Sequence, residues 1–301
     1  MKSSITIVIP NYNGLALLQK HFHSIVENGR NYPIIIVDDA STDNSIPWIK
    51  QKYPQVETIV NSHNQGFAAS VNTGFKAAKT DLVLLLNNDV TINRQTISAL
   101  EKNFADKKLF AVGALEQLTN AKKRGKSKGS FQRGLLIHQS NPERIKGPTL
   151  WVFGASGMFN RKIWQQLGGL DDLYKPAYWE DIDISYRAWK AGFICLFDPA
   201  ATLHHDSEAT MNPTLGSKKS VYAFKNQLLF FWKNVTDISL IFQHFFWMPY
   251  HLTVTTYKTK GAFLYGFYLA LCQLSQVMHQ TSHYKDVRTD SQIITLSSST
   301  K

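Results

Sequence analysis

At 301 residues, 44% of them hydrophobic, the chain is long enough to bury a sizeable core, as one large domain or one domain plus an appendage. Its formal charge of +11 points to an acidic partner, whether nucleic acid, a phosphorylated substrate or an anionic membrane surface. The only two cysteines, Cys195 and Cys272, are far apart and lack metal-ligand spacing, which argues against a disulfide framework and fits free thiols in a reducing compartment.

Met1-Lys2-Ser3-Ser4 runs straight into a strand-like segment with no signal-peptide core, and no apolar run reaches bilayer-spanning length. Residues 5–9 read as a strand stopped by Pro10-Asn11-Tyr12-Asn13-Gly14. Leu15, Leu18, Phe22, Ile25 and Val26 then recur at helical spacing up to Gly29. Residues 34–37 form a second strand ending in Asp38-Asp39, and a short helix follows the Ser41-Thr42-Asp43 turn. Residues 56–60 are a third strand, and Asn64-Gln65-Gly66 opens an Ala-rich helix to Ala78. The fourth strand, residues 82–86, is five apolar residues in a row, the mark of a strand buried on both faces. Alternating strands and helices with short links predict parallel βαβ units in a doubly wound α/β sheet.

Each of these strands ends in polar chemistry on one edge of the sheet, where ligands bind in such folds. Asp38-Asp39 can accept hydrogen bonds from a ribose or a base, whereas Asp43 reads as a helix-start acid complementing the dipole. Asn87-Asn88-Asp89 breaks the fourth strand. Such a cluster is either an ordinary turn or an acid able to hold a divalent cation, which in turn holds a diphosphate. At Asn64-Gln65-Gly66 small residues and amides let backbone approach a ligand.

Four segments in order, Val8 to Gly14, Val37 to Asp43, Asn64 to Ala68 and Leu86 to Asp89, resemble the successive signatures of family 2 glycosyltransferases. The resemblance implies the GT-A fold, a Rossmann-like sheet carrying an acceptor half, with a nucleotide-diphospho-sugar as donor. It places Pro10, Asn11, Tyr12, Asn13, Asn64 and Gly66 around the nucleotide and Asp39 on its base. Asn87 stands where the family's Asp-x-Asp metal motif begins, so Asp89 becomes the principal carboxylate ligand of Mg2+ or Mn2+, with Asn88 nearer the ribose. This variant is similar to that of rhamnosyl and other polysaccharide-assembly transferases.

Beyond Val90 a helix is expected over residues 94–104 and a strand over 109–115. The basic run Lys122-Lys123-Arg124-Gly125-Lys126-Ser127-Lys128-Gly129 reads as a mobile solvated loop, or as a flap over a negatively charged acceptor or membrane. It has no interleaved aromatics and no nucleic-acid-binding module around it. Phe153-Gly154-Ala155-Ser156-Gly157 suits backbone packed against a sugar-sized ligand, and Gly168-Gly169-Leu170-Asp171 leads to Trp179-Glu180-Asp181-Ile182-Asp183. At about 3.6 residues per helical turn, Asp183 points nearly opposite Asp181 and pairs with Arg187. Helix-start acids often have no chemical role, but the resemblance puts the acceptor-activating base here. It implies Asp181 as base and Glu180 as a supporting or acceptor-binding group.

Residues 193–197 are a further strand, and Asp198-Pro199 turns into a segment containing His204-His205. Neighbours on extended chain point opposite ways, so only one of the two faces the site. The family's metal-ligating His is followed three residues later by Ser, a register that implies His204, with His205 as the alternative. Lys225 stands where relatives carry Arg, and faces phosphate as a point charge. Residues 238–248 and 262–272 are aromatic and apolar, with Lys258 and Lys260 between them, and suit helices lying in a membrane interface, a helical cap or a dimer contact. The tail after Arg288 is polar and expected to be mobile.

The expected organisation is a catalytic domain over residues 1–212, with a nucleotide-sugar half to 115 and an acceptor half beyond it, then a helical extension over 213–301. The resemblance implies inverting, non-processive, metal-dependent transfer on the cytosolic side to a lipid-linked or surface polysaccharide intermediate, with peripheral membrane contact and no nucleic-acid partner. A sugar nucleotidyltransferase and a non-catalytic nucleotide-sugar-binding protein are the alternatives.

Overall fold

The computed structural model describes residues 5–141, 144–206, 218–278 and 285–299. The expectations on Met1-Lys2-Ser3-Ser4, on a Ser three residues after His204, and on a boundary between 212 and 213 fall outside them. The β-branched and leucine runs form strands where they are buried on both faces, and the amphipathic segments between them form the covering helices. In chain order the first half runs β1 (Ile5–Asn11), α1 (Leu15–Asn28), β2 (Ile34–Asp38), α2 (Ser45–Lys52), β3 (Glu57–Val60), α3 (Phe67–Ala77), β4 (Leu82–Leu86), β5 (Val90–Ile92), α4 (Arg94–Glu101) and β6 (Leu109–Leu118). Then come β7 (Lys123–Arg124), β8 (Lys126–Gln132), β9 (Leu135–Asn141), β10 (Gly147–Pro148), β11 (Ser156–Asn160), α5 (Arg161–Gln166), α6 (Glu180–Lys190) and β12 (Ile194–His205). The C-terminal helices are α7 (Lys219–Asn234), α8 (Ile238–Tyr250), α9 (Thr256–Lys258), α10 (Ala262–Cys272), α11 (Leu274–Met278) and α12 (Asp290–Ser297).

The main sheet has the order β10-β12-β6-β11-β4-β1-β2-β3. β3, β2, β1 and β4 are parallel, as the alternation of elements predicts. β11 enters antiparallel between β4 and β6, pairing Gly157 with Leu85 and Gly113, and β6 and β12 run parallel beyond it. One face is covered by α1 and α4 through Leu18, Phe22, Ile97 and Leu100. The other packs Val71 and Phe75 of α3 in one continuous cluster with Leu228 and Phe230 of α7, Phe263 of α10 and Ile293 of α12. The C-terminal helices therefore share their core with the sheet.

Three expectations are corrected. The basic run is not a mobile loop: Lys123–Arg124 pairs with β6, and residues from Lys126 form a hairpin with β9 in which Lys126 and Ser127 are buried. Gly125 permits this, because a Cβ there would stand 2.2 Å from the Phe197 ring. The last strand does not stop at Phe197 but continues to His205 through a bulge. The polar tail is helical too, since Thr289 and Gln292 make a capping box and Ile293 is fully buried. Cys195 is buried and Cys272 exposed, both as free thiols.

Candidate active site

The carboxyl ends of β1, β2 and β4 converge. Asn11, ending β1, donates through Nδ2 to Asp38 Oδ1 at 2.8 Å and accepts from Asn88 Nδ2 at 2.9 Å. Gly14 sits under that pair; a Cβ there would lie 2.3 Å from Asn11 Oδ1 and Asn88 Nδ2 alike. Asn13 adopts φ 48° and accepts the Thr42 N–H at 2.8 Å, while Pro10 stands opposite Val37 in the β1–β2 ladder and Tyr12 is exposed. Asp39 is buried and accepts three hydrogen bonds, from Asn61 Nδ2 and Gln65 N at Oδ1 and from Gly66 N at Oδ2. It thus holds the Gln65-Gly66 turn, where Gly66 has φ +88°, onto the end of β2. Asn64, beside that turn, is exposed.

Asp89 follows β4 and is fully buried, yet neither carboxylate oxygen receives a hydrogen bond from the described residues. Its near contact is His205 Nε2, 3.2 Å from Oδ1. His204, the expected ligand, is exposed on the other face of β12, so the alternative, His205, is the one that meets Asp89. The Nδ1 of His205 lies 3.0 Å from Glu116 Oε2. That carboxylate also accepts from Arg124 Nε at 2.6 Å and from the Ser156 hydroxyl. Desolvation alone would raise the Glu116 carboxyl, but His205, Arg124 and Ser156 together hold it below its ordinary value. Burial works against a charge on His205 too; its close contacts with the Asp89 and Glu116 carboxylates overcome this and lift it to about 9. Glu116 and Arg124 escape sequence reasoning, one within an apolar strand and the other in a run that looks like solvated charge.

The third part of the site is the start of α6. Trp179 caps it in the left-handed region at φ 83°, after Tyr178 at φ 72°. Glu180 and Asp181 are half-buried and Asp183 wholly buried. Desolvation, then the neighbouring Asp181 charge, pushes Glu180 up to about 8. Desolvation lifts Asp181 to about 6, opposed by the Ile182 N–H, donated at 2.8 Å, and by the Arg124 charge. The same Arg124 touches His205 and stacks 4.8 Å from the Phe153 ring, so it links the Asp89 side of the site to Asp181. Asp183 takes the separate part foreseen for it, accepting from Arg187 Nε at 2.7 Å, Tyr174 at 2.8 Å, Asn234 at 2.9 Å and Lys233 at 3.1 Å.

Lys225 does not face open solvent as a phosphate ligand would: it is buried and donates to the Lys175 carbonyl at 2.5 Å, and burial lowers its ammonium to about 8. Beside it, Asn226 donates from Nδ2 to the carbonyls of Tyr174, Ala177 and Tyr178. A cleft lined by Phe67, Ala68, Lys175, Pro176 and Glu180 joins the start of α3 to that of α6.

The profile described as glycosyl transferase family 2 matches residues 6–168, more than half of the chain. The chain belongs to that family. A pre-mycofactocin glycosyltransferase of Mycobacterium tuberculosis is 25% identical over 71% of this chain and 45% of its own, so the chain spans about half the length of that relative. An N-acetylglucosaminyl-diphospho-decaprenol L-rhamnosyltransferase of the same organism is 25% identical over 70% of this chain and 78% of that one. The GT-A fold is shared with a mannosyltransferase from Pyrobaculum calidifontis solved with GDP-Man and Mn2+, at TM-score 0.56 and 14% identity, over 91% of this chain and 76% of that one.

No cluster of three or more metal-ligating side chains occurs among the described residues. A Mg2+ or Mn2+ ion in a diphosphate site needs fewer, because one or two carboxylates plus phosphate oxygens and water complete its shell. Two buried carboxylate oxygens without hydrogen bonds, beside an imidazole nitrogen, fit such an ion as donors.

Proposed function

We propose that this family 2 glycosyltransferase is an inverting, non-processive enzyme. It moves a sugar from a nucleotide-diphospho-sugar to the hydroxyl of a lipid-linked or cell-surface polysaccharide intermediate, with a divalent cation held by Asp89 and His205. The observation that carries the reading is Asp89: a wholly buried carboxylate whose near partner is the His205 imidazole needs a positive charge beside it, and a divalent cation between the two would supply that charge. Asp39, through the Gln65-Gly66 turn, shapes the wall against which the base lies, and Asn11 and Asn88 border the ribose. Asp181, ionised at neutral pH, takes the proton of the acceptor hydroxyl. The acceptor oxygen bonds to the anomeric carbon as the bond to the diphosphate oxygen breaks, and that oxygen keeps the electron pair. Glu180, still protonated at neutral pH, donates a hydrogen bond to the acceptor. The cation, when bound, neutralises charge growing on the departing diphosphate. The segment after the base has no Gln-x-x-Arg-Trp run, which supports a non-processive enzyme.

The rhamnosyltransferase relative, whose name specifies an acceptor on diphospho-decaprenol, supports a lipid-linked acceptor, and so does the surface of the C-terminal helices. Phe242, Phe245 and Phe246 of α8 are each at least 70% exposed, and Tyr265 and Tyr268 of α10 are exposed as well. Residues 238–278 contain no Asp or Glu, and Lys258 and Lys260 lie between the two helices. No helix among the described residues is long and apolar enough to cross a membrane. An aromatic, cationic surface of this kind suits peripheral contact with the anionic inner face of a membrane. The test of the reading is a panel of nucleotide-sugars scanned for Mn2+-dependent thermal stabilisation, followed by acceptor-dependent release of nucleoside diphosphate. Stabilisation by one donor in wild type, abolished in Asp89→Ala, is expected. Stabilisation that ignores Mn2+ and survives in Asp89→Ala would sink it.

A further inference from the structure

We infer that Glu116 is a positioning residue for the cation: it fixes the ring of His205 so that Nε2, together with the Asp89 carboxylate, faces the metal. The inference rests on the cation site proposed above. Glu116 is fully buried in β6, after the apolar Ala114 and Leu115, so a carboxylate here needs partners to persist. It has three, and each comes from a different strand. Ser156 of β11 donates to Oε1, Arg124 of β7 donates its Nε–H to Oε2 at 2.6 Å, and His205 Nδ1 of β12 lies 3.0 Å from the same Oε2.

An ionised carboxylate only accepts, so the Nδ1 that bonds to it carries the proton. The Arg124 Nη2 that passes 3.2 Å from Nδ1 then finds no lone pair there, and Arg124 holds the carboxylate through its Nε–H. The ring cannot turn over without losing the bond to Glu116, and Nε2 is left pointing at Asp89, 3.2 Å away. A carboxylate on the far nitrogen of a metal-binding histidine is how such rings are oriented and made better donors. Ser156 and Arg124 hold the carboxylate itself, so four strands set the direction of one nitrogen.

The test uses the full chain and Mn2+ alone, then Mn2+ with UDP or GDP, reading free ion by electron paramagnetic resonance and the nitrogen coupling of bound ion by electron spin echo. Glu116→Gln should raise the Mn2+ dissociation constant about 10–100-fold and weaken the imidazole coupling. Asp89→Ala serves as the reference for the site itself. If wild type takes up no Mn2+, the cation site fails and the inference with it. If wild type binds, Asp89→Ala does not, and Glu116→Gln matches wild type in affinity and coupling, the site stands and the inference is overturned. A purely structural Glu116 would lower the Tm without moving either readout. Should Glu116→Gln not fold, Ser156→Ala carries the test, because it removes one hydroxyl and no charge. A weaker coupling then supports the inference, and an unchanged one overturns it.

Discussion

At the scale of residues, the acids at the start of α6 divide the work by environment. Asp183 is surrounded by donors; desolvation would raise its carboxyl, but Arg187 and Lys233 hold it well below the carboxylate range. Its folded pKa is depressed, so its contribution is fully present above the unfolded value near pH ~4 and lost as the pH falls below it. Asp183→Asn leaves Arg187 and Lys233 without their counter-charge, and denaturant melts should give a loss of about 3–5 kcal/mol. Asp181→Asn should do the reverse, leaving Tm and donor affinity near wild type while turnover collapses. The rate constant kcat/KM should rise with pH through about 6 as Asp181 gives up its proton and fall above about 8 as Glu180 ionises. Glu180→Gln stays neutral and should keep the lower limb and lose the upper one; a persisting upper limb would assign it to another group. The separation of Asp183 from Asp181 was legible because the spacing of Asp181, Asp183 and Arg187 fixes their directions on a helix, whereas the base role of Asp181 came from the family resemblance. Glu116 was not legible, since a strand of small and apolar residues gives no sign that one acid in it meets three donors from other strands.

At the scale of elements, α8 is held by His244 within it and His251 just after it. His244 Nδ1 donates to the Gly134 carbonyl at 2.7 Å while its Nε2 accepts from Trp232 Nε1 at 3.1 Å, and His251 Nε2 donates to the Arg133 carbonyl at 2.8 Å. Gly134, at φ +71°, passes so close that a Cβ would lie 2.3 Å from His244 Cα. Gly134→Ala should therefore lower the Tm and raise protease sensitivity between α7 and α8 while leaving nucleotide binding intact. Asn226, with one amide on three carbonyls, sets the left-handed approach to α6. Asn226→Ala should cut kcat more than donor affinity, and an unchanged kcat would remove it from the site. Sequence periodicity found α3, α4 and α6 but not α12 or the β8–β9 hairpin. The stability of these two comes from a cap, from Ile293 and from cross-strand pairing rather than from a local pattern.

At the scale of the molecule, the C-terminal helices and the sheet fill one core, so removing the helices to test membrane contact would take Phe230, Phe263 and Ile293 out of the cluster they share with Val71 and Phe75. Point changes are the cleaner measurement. Phe242→Ser, Phe245→Ser and Phe246→Ser together alter exposed side chains and should leave the fold and nucleotide binding unchanged. Co-sedimentation with anionic vesicles should fall, and wild-type binding should weaken with salt, because each basic group near such a surface contributes about 1 kcal/mol. Equal sedimentation of the two proteins, with a shift to monomer in the variant, would identify the face as a contact between copies.

The bulge in β12 has a consequence for insertions and deletions. Asp198 pairs with Ala114 and Thr202 with the next residue, Leu115, so residues 199–201 have no counterpart on β6. An odd number of extra residues reverses which side chains of the strand turn inward, and it is this count that gives His205 rather than His204 to Asp89. Substitutions within the bulge leave the parity alone. Loss or gain of a single residue there would exchange the two histidines, bury Asp89 opposite the wrong neighbour and leave the rest of the sheet in place. Homologous chains should accordingly vary in composition at this bulge far more freely than in length.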